Sequence, residues 1–447
     1  MEQTKENKMG TMPVNKLLVT MSLPMVISMI VQALYNIVDS IFVSRLSEDA
    51  LTAVSMAFPM QNLMISVAVG TGVGINAMLS RALGEKKFEA ANKTAENGIF
   101  IEVLGYVLFL LIGIFVTKPF FLAQAGAGDI ANMGIEYTRI CLLMSFGIFM
   151  QIGFERILQS TGRTIFTMIT QSTGAIINII LDPILIFGLF GMPKMGVAGA
   201  GWATVIAQFI SGILCFVYSL KKFPILRLTK HDWKFSWKFA WQHLEVGLPM
   251  AFQFSITAIG TMVIQSALNS LGSTAVAAFT AGSKIDQFAT QPLASLGVAV
   301  ATYTAQNYGA RELERIKKGV TGAAIIATVC GIVGGFVVIT FAKPLVALFV
   351  GSGQNEVMSL SKEYLVLNGV FYVILGLLFV YRNALQGIGS SMIAFFGGVW
   401  ELVMRSLVAF VLVSYLKFAA VCIASPVAWF GATIWLMIAY FIIIKHI

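Results

Sequence analysis

Residues 103–116 read VLGYVLFLLIGIFV and residues 434–444 read IWLMIAYFIII, two runs with almost no polar member. A bilayer core takes about 20 apolar residues per helix. Runs of this character recur along the chain and predict helices near 17–43, 51–80, 96–117, 135–158, 164–190, 196–219, 242–269, 275–303, 319–341, 363–386, 390–416 and 420–444. Of 447 residues, 57% are hydrophobic and 11% charged, whereas a soluble domain carries about a quarter charged residues. Lipid is therefore the main solvent. Backbone groups in lipid must bond within the chain, which leaves helices or closed barrels. The period-two alternation of a barrel is absent. The expected fold is all-α: an integral membrane protein with twelve transmembrane helices. The first apolar run follows a charged leader and is too long for a signal-peptide core, so no cleavable signal is expected.

The four cysteines (Cys141, Cys215, Cys330, Cys422) lie in apolar runs without a CxxC pair, and His231, His243 and His446 are scattered. This argues against a zinc site, a disulfide framework, and redox or hydrolytic chemistry. The GTGVG at 70–74 lies inside a helical run. A nucleotide loop needs a preceding strand, so these glycines predict close helix packing. No GxxxxGK[ST] motif occurs, so uphill transport would draw on an ion gradient and no organic cofactor is expected.

The net charge of +9 is an orientation signal rather than a nucleic-acid footprint. With the N-terminus cytoplasmic, 21 of the 30 Lys and Arg fall on the inner side and seven on the outer side. That bias follows the positive-inside rule and puts both termini in the cytoplasm of a multi-pass cytoplasmic-membrane protein. The inner basic groups are expected to meet anionic lipid head groups.

An internal repeat organises the chain. At an offset of 225, Leu23-Pro24-Met25 falls on Leu248-Pro249-Met250, Gly72 on Gly297, Gly84 on Gly309 and Lys118-Pro119 on Lys343-Pro344. At an offset of 227, Glu136-Tyr137 meets Glu363-Tyr364, Leu158-Gln159 meets Leu385-Gln386 and Gly162 meets Gly389. Each repeat holds six helices, so the halves share one orientation. They predict two pseudo-symmetric six-helix lobes, 1–219 and 242–447, joined by a basic cytoplasmic linker at 220–241.

Ionisable groups in lipid are expensive, roughly 2.5–3.5 kcal/mol each on insertion scales. Gln32, Tyr35, Asn36 and Asp39 share one face of helix 1, and Gln171, Asn178 and Asp182 share one face of helix 5. Pro183 cannot donate to the carbonyl of Ile179, which sets a free carbonyl near a carboxylate and an amide. Such oxygens suit Na⁺, or the carboxylate takes a proton. Asp182 has the alternative of stabilising a kink, and Asp39 of meeting water near the outer interface. Glu155 lies between Gln151 and Gln159 at steps of four, and is expected either to pair with Arg156 or Arg163 near the cytoplasmic end or to serve function. Helix 7 carries a stripe of Gln253, Thr257, Thr261, Gln265 and Asn269, which either lines a cavity or bonds neighbouring helices. Lys284 with Asp286, and Glu401 with Arg405, look like compensated pairs.

The stretch Asn178-Ile-Ile-Leu-Asp182-Pro183-Ile-Leu-Ile-Phe-Gly188, with Gly196-Val-Ala-Gly-Ala-Gly-Trp-Ala-Thr204, Ser22-Leu-Pro24-Met, Asp39-Ser-Ile-Phe-Val and Arg81-Ala-Leu-Gly84, resembles the multidrug and toxic compound extrusion (MATE) family over essentially the whole chain. The resemblance implies monomeric efflux of small organic, often cationic, compounds driven by Na⁺ or H⁺. It implies a coupling site at Asp39, Tyr35, Asp182, Asn178 and Thr204, of which Asp39, Asp182, Asn178 and Thr204 would ligate Na⁺ if Na⁺ is the ion. Pro24 matches a helix-1 proline linked to bending, and Glu155 an acidic residue implicated in drug handling. Gln151, Gln32, Gln253 and Thr257 complete the expected substrate contacts. Another branch carries an acidic residue about ten positions after the Leu-Pro of helix 7, and 252–265 holds no carboxylate. That departure favours coupling in the first lobe. Under the repeat, Asp39 meets Ile264, Asp182 meets Ala409 and Glu155 meets Arg382, so the candidate carboxylates are not duplicated. A flippase for a lipid-linked sugar is the alternative on a related scaffold. A non-transporting receptor would not need acidic faces in lipid, and the loop signature of the major facilitator class is missing from 80–93.

Overall fold

A computed structural model describes residues 8–222, 235–350 and 354–446, and its regular structure is helical throughout. Twelve spans follow one another: α1 (Val14–Ser44), α2 (Glu48–Gly84), α3 (Phe88–Phe115), α4 (Asp129–Leu143, then Phe146–Ser160), α5 (Thr164–Phe187), α6 (Val197–Lys222), α7 (Trp237–Asn269), α8 (Ser273–Gly309), α9 (Leu313–Thr340), α10 (Asn355–Gly369, then Tyr372–Ile388), α11 (Ser391–Leu416) and α12 (Phe418–His446). Among the described residues, nine helices are long and apolar enough to cross a membrane alone, and the bent pairs forming α4 and α10 bring the number to eleven. The bends measure 43° and 49°. The twelfth, α8, has 37 residues but carries Lys284, Asp286, Gln287, Thr290 and Gln291 mid-helix. It packs against α9 and both pieces of α10, so protein rather than lipid receives part of that polar surface.

The repeat holds in three dimensions. α2 and α8 both have 37 residues, and α3 and α9 both have 28. The turns that follow α2 and α8 each place a basic residue at positive φ, Lys86 at 56° and Arg311 at 59°. A left-handed conformation costs a non-glycine residue about 1 kcal/mol or more, so its retention at both mates marks one turn built twice. The closing bonds match as well: Glu85 N–H donates to Arg81 O and Ala310 N–H to Gln306 O, both at 3.0 Å. Outside the spans, Lys87 and Arg81 hold the Glu85 carboxyl below its usual range.

Two compact units result. One comprises Ile27–Ala251; the other joins Met1–Val26 to Phe252–Ile447. Packing thus divides the chain inside α1 and α7 rather than at the linker, of which 223–234 lies outside the described residues. The two division points are repeat mates, each two residues after a helix proline, Pro24 or Pro249. Proline removes one i→i−4 hydrogen bond, so the helix is softened where it passes from one unit to the other. In the second unit, Leu17, Leu18, Met21 and Met25 join the core of the later helices. Arg315 Nη2 donates to Met9 O at 2.8 Å and Met12 O at 2.9 Å, fixing the N-terminal segment to the start of α9.

Within Ile27–Ala251, the GTGVG segment packs as its composition predicts. A Cβ on Gly70 would stand 2.4 Å from Ala251 Cα, and one on Gly74 would stand 2.7 Å from His243 O. Gly72 faces the other way, toward Ile152 and Arg156 of α4. These small residues let α2 and the first part of α7 approach backbone to backbone. Overpacking usually costs about 1–3 kcal/mol, and backbone cannot yield as a side chain does. Gly70→Leu is therefore expected to lower the thermal unfolding midpoint of the detergent-purified protein by several degrees. Gly10→Ala, with nothing within 4 Å of the new carbon, is expected to leave it unchanged.

Candidate functional site

Four of the predicted coupling residues converge from α1 and α5. Asp182 and Asn178, one turn apart on α5, are 0% and 1% exposed. The α5 helix runs through Pro183 and ends at Gly188, whose φ of 74° closes it. On α1, Asp39 brings its carboxyl close enough to Asp182 for the two to act on each other. Tyr35, one turn earlier, lies within electrostatic reach of both carboxyls and shares a hydrogen bond with Gln32. Thr204 of α6 joins the group by accepting from Asn178 Nδ2 at 3.4 Å. No three His, Cys, Asp or Glu gather there as for a transition metal. Two carboxylates, an amide and hydroxyls form a set of hard oxygens instead.

The structure adds three residues to this set. Gln61 of α2 donates through Nε2 to Tyr137 Oη at 3.3 Å and to Cys141 Sγ at 3.4 Å. Tyr137 in turn lies within reach of Asp39 and Tyr35. The signals were present but faint: a lone amide in an apolar helix, and a tyrosine and cysteine four apart on α4.

A second polar network lies in the same unit. Glu155 is 7% exposed and accepts from Gln159 Nε2 and Gln171 Nε2, both at 2.7 Å. Gln151, one turn earlier on α4, makes no described bond to it. Arg156 Nη1 donates to Gln159 Oε1 at 2.8 Å and feels both Glu155 and Glu102. Glu102 of α3, which the sequence reading passed over, is 0% exposed and accepts from Thr71 Oγ1 at 3.0 Å. The expected pairing of Glu155 with arginine is therefore indirect, relayed through Gln159.

The MatE family profile matches residues 24–184 and 249–411, one stretch in each repeat. The chain belongs to the MatE family of membrane transporters. A probable multidrug resistance protein of Bacillus subtilis is 26% identical to it, covering 94% of this chain and 91% of the relative. A protein of Shewanella oneidensis named as an FAD transporter is 25% identical, covering 90% and 89%. A MATE protein crystallised in complex with MaL6 superposes with a TM-score of 0.93, at 26% identity, over 99% of both chains.

In this MatE protein the remaining predicted contacts belong to the other unit. Gln253 is buried against Gly398 of α11, whereas Thr257, Thr261, Gln265 and Asn269 are exposed. Thr257 and Thr261 donate to carbonyls of their own helix, and Gln265 donates to Asn269. The stripe therefore forms surface rather than glue between helices. Lys284 and Asp286 are not the pair they resemble in sequence. Lys284 is exposed and Asp286 accepts from Tyr372 Oη at 2.7 Å, because residues two apart on a helix face different ways. Glu401 is held by Arg382 as well as by Arg405, the latter at 3.9 Å. A hydrogen bond to a buried charged group contributes about 1.5–3 kcal/mol. Gln171→Leu removes one of the two donors on Glu155 and is expected to lower the unfolding midpoint in detergent, while Glu155→Gln/Gln171→Glu, which exchanges the partners, recovers most of the loss.

Proposed function

We propose that this MatE protein is an ion-coupled antiporter that exports small organic, often cationic, compounds across the cytoplasmic membrane. It works as a monomer with both termini inside and six-helix lobes at 1–219 and 242–447. The observation that carries the proposal is the approach of the buried Asp39 and Asp182 carboxyls, which act on each other from facing helices. Two adjoining carboxylates in a medium of low polarity cannot both stay ionised without a compensating charge. A proton or Na⁺ supplies that charge, with Asn178, Thr204 and Tyr35 offering further oxygens. Glu155, Gln151, Gln32, Gln253 and Thr257 are the proposed substrate contacts. The name of the Bacillus relative supports drug export. An ion drives transport only by binding one conformation more tightly than the other, and α1, softened at Pro24, is the element best placed to report occupancy of Asp39.

In proteoliposomes given Na⁺ and pH gradients separately, one gradient is expected to drive efflux of a cationic dye. Asp182→Asn is expected to keep wild-type expression and reduce gradient-driven efflux at least tenfold. Undiminished efflux in that variant would overturn the assignment.

A further inference from the structure

The first part of α4 has a second polar face. Tyr137 turns inward, to Gln61 and toward Asp39. Arg139 follows two residues later, and two helical steps are about 200°, so its side chain leaves the opposite face. There it lines a cavity of about 440 Å³ between α4 and α6, together with Asn132, Glu136 and Trp202. The whole cavity belongs to the unit Ile27–Ala251. Arg139 is half-buried, and its Nε is closed to water without a hydrogen-bond partner. Glu136 is exposed and makes no ion pair with it among the described residues.

The packing of α4 on α6 gives the depth of this group. A Cβ on Gly147 would stand 2.7 Å from the ring of Phe209, which lies near the middle of α6. Trp202 is seven residues nearer the start of α6, about 10 Å along the axis. Its neighbour Gly201 packs on Tyr137 and Ile140, each 3.4 Å from a Cβ placed there, which brings Arg139 to the level of Trp202. The hydrocarbon core reaches about 15 Å from its midplane. The guanidinium and the indole therefore lie near the edge of the hydrocarbon, where tryptophan concentrates. From there the cavity continues along α4 past Leu143 to Met144 at the break. A cavity that is charged at head-group level and apolar toward the midplane has the profile of a lipid rather than of a water-soluble solute.

The scaffold itself does not call for the cation. At the offset of 227, Glu136 meets Glu363 and Trp202 meets Trp429, but Arg139 meets Val366. The second half builds the same span without a charge at that place. An arginine at this depth is costly unless something pairs with it.

We propose that this cavity binds the head group of one phosphatidylethanolamine, from the leaflet around the start of α4 (the outer leaflet in the orientation proposed above). Arg139 takes the phosphate, whose oxygens match the paired donors of a guanidinium. Glu136, three residues earlier and so about 5–6 Å away on the helix surface, takes the ammonium. That ammonium has three donors, enough for the Glu136 carboxylate and Asn132 Oδ1 together. Phosphate and amine are only two carbons apart in this head group, a separation of the same order. A choline head group has no N–H to donate. A glycerol head group brings no cation, and Glu136 opposes its net negative charge. Trp202 covers the glycerol backbone, and an acyl chain follows Leu143 and Met144.

The test titrates full-length protein, delipidated in detergent, with ethanolamine, choline and glycerol phospholipids of identical palmitoyl-oleoyl chains. Native mass spectrometry counts the bound lipids. The first ethanolamine lipid is expected to bind about fivefold or more tighter than either of the others. Arg139→Gln is expected to lose that tight site, and Arg139→Lys to keep more of it than Arg139→Gln. Glu136→Gln is expected to bring the ethanolamine and glycerol forms within about twofold of each other. Leu104→Ala, on the exposed side of α3, is expected to change nothing. Any wild-type ranking that does not put ethanolamine first overturns the proposal, as does wild-type ethanolamine binding by Arg139→Gln. If Arg139→Gln gives no folded protein, Glu136→Gln decides: loss of the ethanolamine preference supports the proposal and its retention overturns it. The measurement needs no ion gradient, so its outcome is separate from that of the efflux assay.

Discussion

A charged side chain inside a bilayer has to be neutralised by protein, by a proton or by a bound ion, and the three charged groups of this chain that matter most solve that problem in three ways. Glu155 is wrapped by two glutamine amides, with an arginine one bond further out. Glu401 is held between two arginines. Asp39 and Asp182 have each other, and two acids do not neutralise one another. The first two arrangements complete themselves at rest. In the coupling site proposed above, the third would take a cation or proton, and that is what makes a buried acidic pair a candidate for transport.

The helices that hold these groups are positioned by small residues. Gly70 and Gly74 let α2 and α7 meet backbone to backbone, and Gly72 turns to α4 beside Arg156. Lipid gives helices no hydrophobic reason to associate, so close van der Waals contact and internal hydrogen bonds carry the packing. The breaks in α4 and α10, the turns at Lys86 and Arg311, and the transfer of α1 and α7 between units after Pro24 and Pro249 recur at matching places in both repeats. Duplication has preserved the backbone mechanics of the two halves and let their charges diverge.

That divergence is concentrated at a few positions. Where the first half has Asn178 and Tyr35, the second has Arg405 and the glycine against which it rests. Where the first half has Gln61 donating to Tyr137, the second has Asp286 beside Tyr364. A scaffold built twice has come to carry different charges in its two halves without a change of fold.

The sequence by itself determined the all-helical membrane fold, the number of spans, the repeat and the polar residues of α1 and α5 that the structure brings together. Each of these is written in local properties: apolar run length, the 3.6-residue period and the rarity of carboxylates in lipid. The polar α8 was also among the expected helices, near 275–303, although its composition alone does not mark it as a span. Partners on different helices were decided only by tertiary structure. Gln61, Tyr137 and Cys141 come from α2 and α4, Glu102 comes from α3, and Asp286 turned out to bond Tyr372 rather than Lys284. Nothing in the spacing along one helix says which face of another will meet it, because that is set by where small residues allow two backbones to close. The packing division inside α1 and α7 has the same origin. Chain order divides the molecule at its linker, whereas side-chain contact divides it at two softened helices.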